Sequence, residues 1–161
     1  MGPSNSSNAG SLANTDIPQI TLHTAAGCTI NTAGSQSGTT LLNSNCNQDN
    51  ANTGCGVTTT TANAYGNAFN NNGGGVYAMQ WESSGVYVWF FPRGSIPADI
   101  TNGAPVTGNW GTPIVAFNGG SSCNIDSFFA NENIVFDTTF CGDVWPSPPF
   151  PFEFSLVRDG S

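Results

Sequence analysis

A chain of 161 residues is long enough for one domain with a hydrophobic core, and its length gives no reason to expect two domains. Only 7% of the residues are charged, and two Arg against ten acidic residues give a formal net charge of −8. This balance excludes nucleic acid as an expected partner, because phosphate binding requires clustered Lys and Arg. The lack of an apolar run of about 18 residues likewise excludes membrane insertion by a helix.

The chain begins with a segment that carries little to bury. Residues 1–16 are rich in Ser, Asn and Gly, so we expect a disordered leader there. The leader lacks the basic start and the apolar core of a secretory signal. We expect folded structure over 17–145, and residues 146–161 form a divergent, Pro-rich tail.

The folded part is expected to be all-β. From Ile17 onward, short β-branched or aromatic runs are cut by Gly, Asn and Pro, and no helical period is visible, which favours an antiparallel β-sandwich. The stretch 27–75 is poor in apolar residues, so we expect long loops held by disulfides. Ser83-Ser84-Gly85 is a hairpin-length turn between two alternating runs. The predicted strands are 19–24, 76–82, 86–91, 113–117 and 134–140.

The predicted strand 76–82 has two different faces. Side chains alternate along a strand, so Tyr77, Met79 and Trp81 share one face and Gln80 lies on the other. We expect the apolar face to be buried, with core packing for Trp81, and the partly polar face to line a groove.

Five cysteines predict disulfides rather than a metal site. Their spacings match no zinc ribbon, and His23 is the only His, so no structural metal is expected. Cys46 and Cys55 flank a short Asn/Gly-rich loop, Cys28 can pair with Cys123, and one cysteine is left over. Disulfides and a low charge content are typical of secreted proteins, so we expect an extracellular location.

Two stretches point to a family: GGGVYAMQWESSGVYVWFFPRGSIPAD at 73–99 and FDTTFCGD at 136–143. LHTAAGC at 22–28, NTGCGV at 52–57, ANAYG at 62–66 and WGTP at 110–113 occur in the same family's order. Together they resemble the fungal endo-β-1,3(4)-glucanases, laminarinase-type enzymes of glycoside hydrolase family 16. The resemblance covers roughly residues 20–145.

The resemblance implies a concanavalin-like jelly roll of two antiparallel sheets, incomplete here at both ends. It implies an open cleft on the concave sheet for a β-glucan chain, and no cofactor. Strands missing at the ends would leave sheet edges exposed, so self-association through those edges is expected. In the related enzymes more cysteines follow FCGD, so Cys141 is expected to be the unpaired thiol.

The family's retaining mechanism needs two carboxyl groups about 5–5.5 Å apart. Family members supply them from an E-x-D-x-x-E motif just before the L-H-T strand. That place is occupied here by SNAGSLANTDIPQ, in which Asp16 is the only acid. We therefore assign no catalytic residue and expect no hydrolysis by this chain alone.

The resemblance also suggests which residues contact sugar. His23 is the L-H-T histidine near the cleft. Trp145 resembles a cleft-lining Trp that follows the FCGD motif, and Asp143, the last residue of that motif, is a further candidate for sugar contact. Gln80 stands where family members often have Glu, and Trp110 in the W-G-T-P loop is either a stacking platform or a loop anchor. A structural role is the alternative for His23 and Trp145.

Three hypotheses on function remain open at this point. The chain is a laminarinase-type family protein whose activity is lost or resides in a longer product, or it is a non-catalytic β-glucan-binding module. Alternatively, it is an extracellular structural or interaction protein whose sheet edges pair with another chain. β-Glucan is the expected partner under the first two hypotheses.

Overall fold

The computed structural model describes residues 19–31, 39–48, 54–130 and 132. Within these ranges, six strands form two three-stranded antiparallel sheets. The predicted all-β, antiparallel sandwich is therefore confirmed. The predicted strand 134–140, the leader, the tail and Cys141 lie outside the described residues.

The first sheet contains β1 (Gln19–Leu22), β2 (Thr39–Asn43) and β3 (Cys55–Thr59), with β3 in the centre. The prediction of long loops over 27–75 is wrong at β2 and β3. Each strand has two Thr among its five residues, and Thr has a high β propensity although it is polar. A count of apolar residues therefore underestimates the strand content here.

The second sheet contains β4 (Gly75–Glu82), β5 (Gly85–Pro92) and β6 (Val115–Asn118), with β5 in the centre. β4 and β5 pair along their whole length, from Gly75 opposite Pro92 to Glu82 opposite Gly85. The predicted hairpin is confirmed within one residue at each end, and β6 matches the predicted strand 113–117 within two.

The hydrophobic core lies between the two sheets. From the second sheet, Val88 and Phe117 point into it, and from the first sheet Leu22 and Val57 do so. Register pairs Ile20 and Leu41 with Val57, so both lie on the same inner face. Each sheet therefore has one face against the core and one face turned away from it.

The described residues include three short α-helices: α1 (Gly66–Asn71) between β3 and β4, α2 (Ala98–Thr101) between β5 and β6, and α3 (Ile125–Phe128) after β6. They have four to six residues each, which is too short for a 3.6-residue period to be visible in the sequence. None of the described helices has the length and apolar character of a membrane span.

Side-chain contacts fix the ends of the hairpin. The Tyr77 hydroxyl donates a hydrogen bond to the Ala64 carbonyl, just before α1. Burial of that hydroxyl raises the pKa of Tyr77 to about 12, although its ring is partly exposed. At the other end of β5, Arg93 Nε donates to the Gly73 carbonyl at 3.0 Å. This arginine therefore ties two loops together.

Two disulfide bonds close the structure, and they join the pairs expected from the sequence. Cys28–Cys123 connects residues 95 apart in sequence, whereas Cys46–Cys55 connects residues 9 apart. All four cysteines are buried. The first bond links the segment after β1 to the segment after β6, next to the hydrogen bond from Thr29 N to Ser122 O.

We predict that the two disulfides contribute unequally to stability. A loop of about 95 residues loses about 4.7 kcal/mol of chain entropy in the unfolded state when closed, and a loop of about 10 residues about 2.7 kcal/mol. Replacing Cys28 and Cys123 by Ser should therefore lower the free energy of unfolding about 2 kcal/mol more than replacing Cys46 and Cys55. Urea titrations of both double variants measure this, and equal losses would contradict it.

Candidate functional site

The outward side of the first sheet is a small, polar surface. Because side chains alternate, Ile20 and Leu22 point into the core, and their neighbours along β1 point away from it. We call this side the polar face: Gln19, Thr21, His23, Thr40 and Thr58, of which Thr21 is buried. Gln19 Nε2 donates to Thr21 Oγ1 at 3.0 Å, and Thr40 lies opposite Thr58 across the β2–β3 pair.

His23 is positioned at one end of the polar face by Gly54. The β1–β3 register, extended by one residue past Leu22 and Cys55, brings His23 opposite Gly54. A Cβ on Gly54 would lie 2.6 Å from His23 Nδ1 and 2.5 Å from the Leu22 carbonyl oxygen. Gly54 also has φ +76°, which disfavours other residues. The imidazole therefore occupies the space that a side chain at position 54 would need.

A β-bulge in β2 brings a second polar side chain to this place. The register shifts between Leu41 and Asn43, and Leu42 is exposed at the irregularity. As a result Asn43 lies opposite Gly56, and its Nδ2 donates to the Gly54 carbonyl at 2.9 Å. Bulges often re-aim a side chain at functional sites. Here the bulge turns Asn43 towards the backbone that supports His23.

The Cys46–Cys55 disulfide secures the segments on both sides of His23. Cys55 pairs with Leu22, the residue before His23. The Cys46 carbonyl accepts a hydrogen bond from Thr24 N at 2.7 Å, so it holds the residue after His23. The disulfide therefore links the partner of Leu22 to the partner of Thr24, the residues on either side of His23.

The outward side of the second sheet is different and carries an aromatic surface. We call it the aromatic face: Tyr87, Trp89, Phe91 and Trp110. The Trp110 ring packs nearly perpendicular to Trp89 and Phe91, with centroids 5.3 and 5.6 Å apart. The Trp89 Nε1 donates to the Gly111 carbonyl at 2.9 Å, and Trp89 is buried beneath Trp110.

Asp99 holds Trp110 in place. Its Oδ2 accepts hydrogen bonds at 2.8 Å from both Trp110 Nε1 and Val106 N, and its Oδ1 accepts from Ile100 N at 3.0 Å. These donors stabilise the charged carboxylate and lower the pKa of Asp99, the largest effect coming from Val106. Asp99 is therefore a loop anchor, and Trp110 is fixed by it.

Gln80 lies at the other end of the aromatic face, opposite Tyr87 in the β4–β5 register. Its Nε2 donates to Glu82 Oε2 at 3.2 Å, and Ser84 Oγ donates to Glu82 Oε1 at 2.7 Å. Ser84 Oγ and the Tyr87 hydroxyl are 3.0 Å apart. These contacts form a polar network at the hairpin turn.

The structure separates the sugar-contact residues that the sequence suggested. Gln80 and Trp110 share the outward side of the second sheet, whereas His23 lies on the outward side of the first, beyond the core. Asp143 and Trp145 lie outside the described residues.

Several features of these surfaces went unnoticed in the sequence. The sequence did not suggest Asn43, because β2 was not predicted. Gly54, within the N-T-G-C-G-V motif, could have indicated a place where the backbone or a side chain approaches closely. The prediction of core packing for Trp81 is wrong, because Trp81 is 39% exposed. In the described part of the chain, no group of three or more His, Cys, Asp or Glu side chains is placed to hold a metal ion.

Comparison with known proteins identifies relatives over most of the chain. Residues 11–152 match the family model described as an XgeA-like, catalytic GH16 domain. A probable endo-1,3(4)-beta-glucanase of Aspergillus niger is 46% identical over 143 residues, which are 89% of this chain and 18% of that protein. A probable glycosidase of Schizosaccharomyces pombe is 44% identical over 128 residues, which are 78% of this chain and 30% of that protein.

Solved structures show the same similarity. An elongating GH family 16 beta-1,3-glucosyltransferase superposes with a TM-score of 0.70 at 41% identity, over 81% of this chain and 42% of that one. Laminarinase 16A from Phanerochaete chrysosporium, with beta-glucans in its donor and acceptor sites, superposes with a TM-score of 0.63 at 42% identity. The match covers 79% of this chain and 43% of the laminarinase chain. This chain thus spans less than half the length of these solved relatives.

We predict that Gly54→Ala displaces His23. The added methyl group would overlap His23 Nδ1 and the Leu22 carbonyl, so the free energy of unfolding should fall by about 1–3 kcal/mol and the imidazole NMR signals should shift. Gly66→Ala is the matched control, because Gly66 has a similar φ of +62° but nothing within 4 Å of its would-be Cβ. Equal losses in both variants and unchanged imidazole signals would contradict the overlap.

We predict that Asp99→Asn changes the acid stability of the Trp110 loop. Because the pKa of Asp99 is lowered in the folded state, its stabilising effect is complete above the usual aspartate pKa of 3.8. The effect is lost as the pH falls through the lower folded value. The stability difference between wild type and Asp99→Asn should therefore shrink between about pH 5 and pH 2 in urea titrations followed by Trp fluorescence. A difference independent of pH would argue against this role.

Proposed function

The chain belongs to glycoside hydrolase family 16, and on this premise we propose that it binds β-glucan through the polar face of its first sheet. The observation that carries the proposal is His23, which lies over Gly54 at one end of that face. The similarity to a laminarinase whose solved structure holds beta-glucans supports the choice of ligand.

The chemistry of the polar face suits a neutral sugar chain. None of the strands β1, β2 and β3 contains Asp, Glu, Lys or Arg, so no charge competes with hydroxyl groups there. Hydroxyl and amide side chains both donate and accept hydrogen bonds, as glucan hydroxyls do. His23 adds an aromatic ring that can contact a pyranose face and hydrogen-bond its hydroxyls.

We further propose that this chain alone does not hydrolyse glucan. Its sequence contains no E-x-D-x-x-E motif, and the polar-face strands contain no carboxylate. Glu82 is engaged by Gln80 and Ser84 on the other side of the sandwich, and the lowered pKa of Asp99 disfavours the protonated form that an acid catalyst needs. A retaining mechanism requires a close pair of carboxyl groups with separate roles.

The aromatic face is the second candidate for glucan contact. Trp110 and Gln80 combine rings with an amide there, and aromatic side chains stack on the apolar faces of sugars. However, the Trp110 ring packs edge-on against Trp89 and Phe91, and Asp99 anchors its indole N–H, so this ring already stabilises the loop. The polar face carries the L-H-T histidine and is the first choice.

We also propose that the protein works outside the cell. Its two disulfide bonds are typical of proteins that fold in an oxidising compartment.

We predict that the purified chain is retarded by laminarin in affinity gel electrophoresis and that His23→Ala weakens this binding about 3- to 10-fold, as expected for one lost hydrogen bond. Ser95→Ala, at an exposed turn position, is the matched control and should bind like wild type. Gln80→Ala and Trp110→Ala test the second candidate. Loss of binding in these variants, with binding by His23→Ala unchanged, would indicate that the aromatic face binds the glucan and would contradict the proposal.

The same preparation should release no reducing sugar from laminarin above a heat-treated control. Release that persists in the purified chain would contradict the proposal on hydrolysis, whereas the absence of any retardation by laminarin would contradict the proposal on binding.

A further inference from the structure

β4 carries an exposed apolar strip, which we call the edge strip: Tyr77, Met79 and Trp81. Their exposed fractions are 44%, 40% and 39%. Register places them opposite Phe90, Val88 and Val86, so they lie on the core-facing side of the second sheet. Among the described residues, β4 is the end strand of that sheet and nothing pairs with its other edge. The apolar strip therefore continues the core surface to an open edge.

The backbone of the same three residues also points to that edge. In an antiparallel pair, every second residue hydrogen-bonds to its neighbour and the others direct N–H and C=O to the opposite side. Arg93 N donates to Gly74 O at 3.0 Å, so Gly74 and the alternate residues after it bond to β5. Tyr77, Met79 and Trp81 alternate with these residues and do not hydrogen-bond to β5 through their backbone. Their backbone donors and acceptors face outward beside their exposed side chains.

β4 lacks the usual protection of an edge strand. Edges are commonly blocked by charged residues, Pro or bulges. Residues 75–81 contain none of these, and Glu82 at the end is the only charge. The opposite edge of the sheet is different, because Asn31 and Asn118 exchange two backbone hydrogen bonds of 3.0 Å beside β6. In the described part of this sheet, β4 therefore has no strand paired along its outer edge, whereas β6 has a partner at Asn118.

We propose that β4 pairs with β4 of a second copy of this chain, antiparallel and with the two-fold axis at Met79. The inference is independent of glucan binding. In this register Met79 lies opposite the partner's Met79, and Tyr77 lies opposite the partner's Trp81. These are the residues whose backbone groups face outward, so the ladder continues without interruption.

The strand is complementary to itself, which selects a second copy as the occupant. Pairing Tyr77 with the partner's Trp81 joins two aromatic residues on each side of the axis, an arrangement that stabilises sheets. Glu82 lies opposite the partner's Val76, so the two carboxylates are kept apart. A two-fold pairing through β4 joins the two second sheets into one six-stranded sheet and uses the same surface of both copies.

We predict a dimer in sedimentation equilibrium at about 10–100 μM that tightens with added salt, because each chain carries a net charge of −8. Met79→Lys should weaken dimerisation at least about 10-fold, since two like charges would meet at the axis. Ala78→Lys is the matched control, with the same charge on the outward face of the same strand. It should still dimerise. A wild-type chain that stays monomeric throughout, or equal behaviour of the two variants, would overturn the proposal.

A cross-linking experiment tests the register without disturbing the edge strip. The proposed pairing places Ala78 opposite the partner's Gln80 as a non-hydrogen-bonded pair, with Cα atoms about 4.5 Å apart, within disulfide range. Mixing Ala78→Cys and Gln80→Cys chains, both carrying Cys141→Ser, should give a disulfide-linked dimer on oxidation. Each variant alone should cross-link much less. A dimer that forms without this cross-link uses another surface and would overturn the register.

Discussion

The strict alternation of side chains along β5 is the constraint on which the rest of the structure depends. Val86, Val88 and Phe90 point into the core, so Tyr87 and Trp89 must point away from it. Pairing with β4 and β6 extends both faces across the sheet. The core surface, the aromatic face and the open edge of β4 are all consequences of this one pattern.

Side chains alternate in the same way in the first sheet. There, disulfide bonds and small residues provide stability that large apolar side chains provide in the second sheet. β1, β2 and β3 are short and rich in Thr, and they bury few large side chains. Cys46–Cys55 lies beside the contact between His23 and Gly54, and the Asn43 bulge supports the same backbone. The backbone around His23 is thus held by a disulfide, a glycine and a bulge.

The sequence predicts those parts of this fold that depend on neighbouring residues. The β4–β5 hairpin follows from two alternating runs around a short turn, and the Cys46–Cys55 disulfide follows from the short loop between the two residues. The Cys28–Cys123 pair was one open possibility in the sequence, because its partners are 95 residues apart. Alternation shows which face Trp81 shares, but not whether another element covers that face. Similarly, nothing local in the sequence shows that His23 and Gln80 lie on opposite sides of the core, because that depends on how the two sheets stack.

The two proposals concern different sheets, and this separation has a physical consequence. The polar face belongs to the first sheet, whereas the edge strip belongs to the second, so dimerisation leaves both polar faces accessible to ligand. A two-fold dimer presents two such faces to a polymer with many identical units. When the second contact becomes intramolecular, overall affinity rises without any new interaction, provided that one glucan chain or particle reaches both faces. This gain matters most where each single polar face binds glucan weakly.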